Sequence, residues 1–159
     1  MATSSIPAAI DYLYATVSAL PECAPPVVVC DGWPDQRADV GVVIGVTPED
    51  PTTEDDVTHA QLGAQTQWEE YGIPCIIWAR AVGGGRPMKT ARDAAFTILD
   101  ALDSHLRTPT GRTLGGALRS GTAIAANVRI QQTGSAEQAG EGRVCEIHFS
   151  VMCRSRSEA

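Results

Sequence analysis

Three things are missing from this sequence, and each removes a class of function. It has no Cys-x-x-Cys pair: Cys23, Cys30, Cys75, Cys145 and Cys153 form an odd, dispersed set. Several fall inside predicted strands, so they read as small buried thiols in a reducing compartment. His59, His105 and His148 stand singly, which leaves no closely spaced ligand set for zinc. Clustered cations are missing too. Lysine and arginine number 12 against 19 acidic residues, a net charge of -7, and phosphate backbones are held by grouped Lys and Arg. Such a surface suits a protein that must not stick to DNA, or one that docks on a basic partner. Finally, no apolar run approaches the roughly 20 residues of a membrane span, and the start lacks the basic and apolar stretches of a secretory leader. The expectation is a soluble protein made in a cytoplasm, with its 159 residues forming one domain around one core.

What is present alternates between two periodicities. Ile6 to Leu20 reads as a helix, with Ser5 as its cap, Pro7 in its first turn, and Ile6, Ile10, Leu13, Tyr14 and Val17 on one stripe. Pro21 and Pro25-Pro26 end it. Val27 to Cys30 is a short strand running into a turn at Asp31-Gly32 and Trp33-Pro34. Asp39 to Val46 is a second, whose glycines point to a bulge or a close neighbour. Residues 47 to 58 are an acidic loop. Gln61 to Trp68 reads as an edge-like strand, with Glu69 to Gly72 bending it into the next one. Ile73 to Val82 is apolar on both faces, with Ile73, Cys75 and Ile77 on one and Ile76, Trp78 and Val82 on the other. One face meets the protein's own helices; the other asks for a second cover.

Lys89 to Arg107 is an amphipathic helix. Ala91, Ala94, Ala95, Ile98, Leu99, Leu102 and Leu106 lie on its apolar side, and Asp103 and Arg107 are spaced to pair. Pro109 and Gly111 stop it. Ser120 to Gln132 alternates, with Ile124, Ala126, Val128 and Ile130 on one face. Arg143 to Arg154 turns Cys145, Ile147, Phe149, Val151 and Cys153 inward and Glu146, His148, Ser150 and Arg154 outward. Thr133 to Gly142 is the hairpin tip between them, and Ser155 to Ala159 read as a frayed end. The expected class is α+β, a mixed or antiparallel sheet packed against two main helices.

The signals that imitate an enzyme fail on inspection. Gly83 to Thr90 (GGGRPMKT) sits between a strand and a helix and ends in Lys-Thr, like a phosphate-binding loop. That loop needs a glycine directly before the lysine; here Met88 holds the place, and Pro87 removes another N–H. No Gly-x-Ser-x-Gly elbow exists. Cys145 and His148 are three apart on a strand and face opposite sides. The carboxylates at 49 to 56 lack an EF-hand's glycine and ligand order, and no rigid partner makes them an acid/base pair. The reading is a non-enzyme with no cofactor and no metal site.

The layout carries a resemblance. The N-terminal helix is followed by the Asp31-Gly32 turn. Gly63, Gln67, Glu69, Glu70, Tyr71, Gly72, Ile73 and Pro74 then lead into the apolar strand. A helix of RDAAFTILDALDSHL type (from Arg92), Thr113-Leu114-Gly115-Gly116 and a closing strand near Val151-Met152-Cys153-Arg154 complete it. Over nearly its whole length the chain resembles the tail terminator, or tail completion, proteins of long-tailed siphophages, especially those infecting actinobacteria. That resemblance implies a structural virion protein at the head-proximal end of the tail, assembled in the host cytoplasm as a homo-hexameric ring. Such a ring caps the tail tube, ends polymerisation of the major tail tube protein, and forms the joint to a head-completion or connector protein. DNA passes through its channel without specific binding, and no membrane is involved. Candidate interface residues are Asp50, Glu54, Asp55 and Asp56 in the acidic loop, Trp78 on the doubly apolar strand, and Arg119, Arg129 and Arg143 near the last hairpin. Two alternatives stay open: another head–tail connector (head-completion or stopper) or minor tail protein, and, more distantly, a small nucleotide-binding enzyme built on Gly83 to Thr90.

Overall fold

The computed structural model describes residues 4–34, 38–45, 58–62, 66–134 and 142–158. Its elements run α1 (Ile6–Ala19), β1 (Val28–Asp31), β2 (Val40–Ile44), β3 (Thr58–Leu62), β4 (Thr66–Ala81), α2 (Pro87–Leu106), a one-turn α3 (Pro109–Arg112), β5 (Thr122–Thr133) and β6 (Arg143–Glu158). The strands form one six-stranded sheet in the order β1-β2-β4-β6-β5, with β3 beside the first half of β4. Only the β1–β2 pairing is parallel; every other pairing is antiparallel. The class is α+β, with a mixed sheet.

Both long helices cover the same face. Ala9, Leu13 and Val17 of α1 and Ala91, Ala95, Ile98, Leu102 and Leu106 of α2 share one core with Val42, Ile44, Ile73, Cys75, Ile77, Ala79, Cys145, Ile147, Phe149 and Val151. The alanines on α2 let it lie close against β4 and β6, and the period of two on those strands supplies the matching apolar face. The Asp103–Arg107 pair forms, at 2.8 Å.

Several boundaries differ from the sequence reading, each for a local reason. β4 is unbroken for 16 residues, so Glu69 to Gly72 do not bend it. β6 pairs with it along its whole length, from Thr66 opposite Glu158 to Ala81 opposite Arg143. β3 and β4 pair antiparallel with Leu62 opposite Thr66, so the expected strand at Gln61 to Trp68 is divided between the end of β3 and the start of β4. The same pairing extends β6 through Ser155, which is buried, so the chain end expected to fray is strand to Glu158. Thr58, assigned to the acidic loop, opens β3. Val82 lies beyond β4 and is exposed. Helix α2 begins at Pro87, earlier than expected, because proline is tolerated in a first turn. Tyr14 belongs to the exposed side of α1. The acidic residues 47 to 57 and hairpin residues 135 to 141 lie outside the described residues.

The largest correction concerns β5. Ala123 stands opposite Cys153 and Ala125 opposite Val151, on the helix side; Ile124 stands opposite Met152 on the other face. A bulge between Ala126 and Arg129, where Asn127 takes φ 55°, adds a residue and inverts the parity. Beyond it Ile130 is opposite Ile147, on the helix side, while Arg129 and Gln131 are opposite His148 and Glu146. Ile124, Ala126, Val128 and Ile130 therefore do not share one face.

Ser5 occupies the cap position of α1, but its side chain does not cap the helix. The capping anion comes from β4. Glu69, only 1% exposed, accepts hydrogen bonds from the Ser5 N–H at 2.9 Å, the Ser5 hydroxyl at 2.8 Å and the Ser4 hydroxyl. Ser5 Oγ also meets the Tyr71 hydroxyl at 2.8 Å. A carboxylate at a helix N-terminus is held by the N–H groups and by the dipole together, so this cluster fixes α1 to the sheet.

Candidate functional site

The face of the sheet turned away from the helices is built from the even-numbered positions of β4 and β6. Trp68, Glu70, Gly72, Ile76 and Trp78 stand opposite Arg156, Arg154, Met152, His148 and Glu146 respectively. Among the described residues no long helix lies on it. Ile124, 59% exposed, and its neighbour Met152 are apolar side chains left open there. Two aromatic clusters mark the two ends of this face.

At one end the Arg154 guanidinium lies over the Trp68 ring, 4.2 Å from its centroid, and pairs with Glu70 at 3.1 Å. At the other end is a pocket of about 420 Å³ lined by Trp33, Pro34, Val43, Ile76, Trp78, Gln131, Glu146 and His148. Its floor is dry: Val43 and Ile76 are 2% and 5% exposed, yet neither belongs to the helix-side core. The indole of Trp78 donates from Nε1 to the Ala38 carbonyl at 3.0 Å. That bond ties the β1–β2 connection to the sheet. The ring lies directly over Gly41, where a Cβ would come within 2.2 Å of it. The close neighbour expected of a strand glycine is thus Trp78. Glu146 Oε2 lies 3.0 Å from His148 Nε2; the two are side by side because residues two apart on a strand share a face.

The remaining candidate residues are spread out. Asp50, Glu54, Asp55 and Asp56 lie outside the described residues. Arg119 and Arg143 sit at opposite ends of β6. The Arg119 N–H donates to Ser155 Oγ at 3.1 Å and its carbonyl accepts from the Arg156 N–H at 2.8 Å, whereas Arg143 opens the strand. At about 3.3 Å per residue the two are roughly 40 Å apart. Arg129 is exposed at the bulge, between them. The three arginines form no single patch.

Arg143 instead joins Arg86, Pro87, Met88, Lys89 and Arg92 around a second recess, of about 340 Å³. Gly83 and Gly84 precede it with positive φ, but Pro87 and Met88 are already helical. The loop therefore does not wrap as a phosphate cradle does. Lys89 bonds Asp93 and holds that carboxyl below its usual range, and Arg92 Nη1 donates to Gln132 Oε1 at 2.9 Å.

Four of the five thiols are inert by environment. Burial pushes Cys75 and Cys153 up to about 12 and Cys23 to about 11, and raises Cys145. A thiol held that far above its ordinary value is not the nucleophile thiolate chemistry needs. Cys145 points into the helix side while His148 faces the pocket, so they make no couple. Among the described residues no group of three His, Cys, Asp or Glu side chains is placed to hold a metal ion, and no helix is long and apolar enough to cross a membrane.

Sequence reasoning missed Trp33, the Glu146–His148 pair and the buried Glu69. The pair was visible as two polar residues on one strand face; Glu69 carried no signal, because exposed and buried glutamates read alike. Compared with known protein families and with curated proteins, the chain matches none.

Proposed function

We propose that this chain is a structural ring subunit of a siphophage virion. It caps the tail tube, ends tube polymerisation and forms the joint to the head connector. The observation that carries the reading is the uncovered face of the sheet. A protein that buries one face under two helices, and leaves Ile124, Met152 and an indole-lined pocket open on the other, keeps apolar area for a neighbour. The two outer strands, β1 and β5, end the sheet at both edges, which suits head-to-tail contacts between copies that close into a ring. The net charge of -7 suits a channel through which DNA must slide without being held. The order of elements, an N-terminal helix, short strands, an apolar strand, a long helix and two closing strands, is the layout on which the resemblance to tail terminators rests.

Electron microscopy of particles assembled with and without the protein tests this. Overlong, irregular tail tubes beside tail-free heads are the expected result without it. Tails of normal length that fail to join heads would move the assignment to a connector on the head side. Intact virions would discard the structural reading. The cationic recess at Arg86, Lys89, Arg92 and Arg143 is the one feature that favours the distant nucleotide-binding alternative, and calorimetric titration with ATP and magnesium decides that point.

A further inference from the structure

The two ends of the open face are built alike, except that one stacks a guanidinium on its indole and, among the described residues, no guanidinium lines the pocket at the other. At the first end, an indole on β4 (Trp68), a carboxylate (Glu70) and Arg154 from β6 form a closed set, with the guanidinium stacked on the ring and paired to the carboxylate. At the second end, Trp78 on β4 stands directly opposite Glu146 on β6. Trp33 supplies a second indole wall, and Gln131, opposite Glu146 on β5, supplies another side-chain carbonyl. Among the described residues no lysine or arginine lines the pocket; Arg129, across from His148 on the same face, is not one of the lining residues. His148 takes up one carboxylate oxygen of Glu146, and a carboxylate has about four lone-pair sites to offer.

We infer that this pocket is a guanidinium site, filled by an arginine side chain of a second copy of the chain. A planar cation is the group that uses aromatic faces, a carboxylate and an apolar floor together. Arginine does so better than lysine, because its guanidinium is flat, weakly hydrated and forked. At about 420 Å³ the pocket has room for the side chain and the backbone that presents it, within the roughly 300–1,000 Å³ usual for ligand pockets. The chain is furnished for the donor role: 11 of its 12 basic residues are arginine, Lys89 being the exception. Arg107, Arg112 and Arg119 all stand exposed. A pocket on one copy and an arginine on a different surface of the next make a heterologous contact, the kind that closes rings. The choice of a second copy rests on the ring reading above; the guanidinium chemistry does not.

Two measurements on the full chain separate these claims. The first follows tryptophan fluorescence and heat on titration with N-acetyl-arginine amide, and with N-acetyl-lysine amide as comparison. Saturable binding on the order of millimolar is expected for the arginine probe, weaker binding for the lysine probe, and a loss of roughly tenfold in Glu146→Gln. Gln131→Ala, at an exposed strand position, gives a second variant whose folding is secure. No saturation by the arginine probe, with circular dichroism unchanged, overturns the site. The second is sedimentation velocity. Self-association that weakens in Glu146→Gln and is competed by the arginine probe supports the second copy as the source. A monomer at every concentration, or self-association indifferent to both, overturns that source and leaves the guanidinium site standing on the first measurement.

Discussion

The helix-covered and open faces of the sheet are made from the same strands, with side chains alternating between them, yet they follow different rules. The covered face is mainly apolar, and Glu69 with the hydroxyls of Ser4, Ser5 and Tyr71 closes a hydrogen-bonded cluster around the start of α1. On the open face the apolar residues are interrupted by Glu70, Arg154, Glu146 and His148 in paired arrangements. The first pattern maximises area removed from water; the second sets paired charges among exposed indole and isoleucine side chains. Burial therefore separates the side chains that fold the chain from those left on its open face, and the comparison can be broken experimentally.

The strongest test acts on the covered face alone and needs no mutation. Burial lifts Cys75 and Cys153 from an ordinary 9.0 to about 12, and burial likewise raises the Tyr71 phenol. A raised folded-state value means stability is fully present below pH 9 and is lost as pH climbs from 9 towards 12. Each buried thiol that must ionise adds to that loss, so stability falls progressively as pH rises above 9. Urea midpoints should be level from pH 7 to 8.5 and collapse above pH 10. Cys75→Ala should flatten the slope, and a level midpoint to pH 11 would contradict the burial of these thiols. In the same preparations at pH 8, a thiol reagent should label the half-buried Cys30 far ahead of Cys23, Cys75, Cys145 and Cys153.

Next in size is a matched pair of isoleucines. Ile77 is buried under the helices and Ile124 stands open on the other face. Ile77→Ala should cost about 3–4 kcal/mol, the transfer term plus a cavity in a packed interior. Ile124→Ser should stay within about 0.5 kcal/mol by chemical denaturation while weakening assembly. Equal costs would mean the open face is part of the folding core. Glu69→Ala follows, at about 2–3 kcal/mol, because it strands the Ser5 N–H and two hydroxyls without their acceptor. Its thermal unfolding should show α1 amides exchanging faster than those of α2.

Most of the covered face was legible in the sequence, and much of the open face was not, for a physical reason. The covered face announces itself by periodicity: the alanine-and-leucine stripe of α2 and the alternation of Cys145, Ile147, Phe149, Val151 and Cys153 specify partners that need only be apolar and in phase. The assignment of opposite faces to Cys145 and His148 came from the same period and holds. What failed needed pairing across the sequence. The bulge at Asn127 inverts β5 with no marker beyond an asparagine able to take positive φ, so Ile124 and Ile130 were grouped although they part company. The end of β6 gains its order from β4, 66 to 70, and nothing within Ser155 to Glu158 reveals that. Trp78 was singled out for lying on a doubly apolar strand, and it does line the pocket. Trp33 was passed over as part of a turn.

Gly41→Ala probes the pocket's floor directly. A Cβ there would sit 2.2 Å from the Trp78 ring, so the indole must move or the strand must shift. Overpacking of this kind costs roughly 1–3 kcal/mol. The indole N–H bond to Ala38 should weaken with it, giving a shifted tryptophan emission maximum. An unchanged spectrum and stability would show that the ring is not fixed over Gly41.

The smallest effect sharpens the comparison most. Arg154 is half exposed, so its pairing with Glu70 is screened by water and worth about 0–1 kcal/mol. Its stacking on Trp68 is less sensitive to salt, because the ring's quadrupole acts at contact over 4.2 Å. Arg154→Ala should therefore cost about 0.5–1 kcal/mol, and Glu70→Gln about half that, with the Glu70 effect vanishing in 0.5 M salt, where the screening length falls to only about 4 Å. If the two substitutions cost the same and both vanish in salt, the indole contributes nothing to holding the guanidinium. The Trp78 pocket would then lose its internal precedent, since Trp68, Glu70 and Arg154 show, among the described residues, what an indole and a carboxylate do with an arginine.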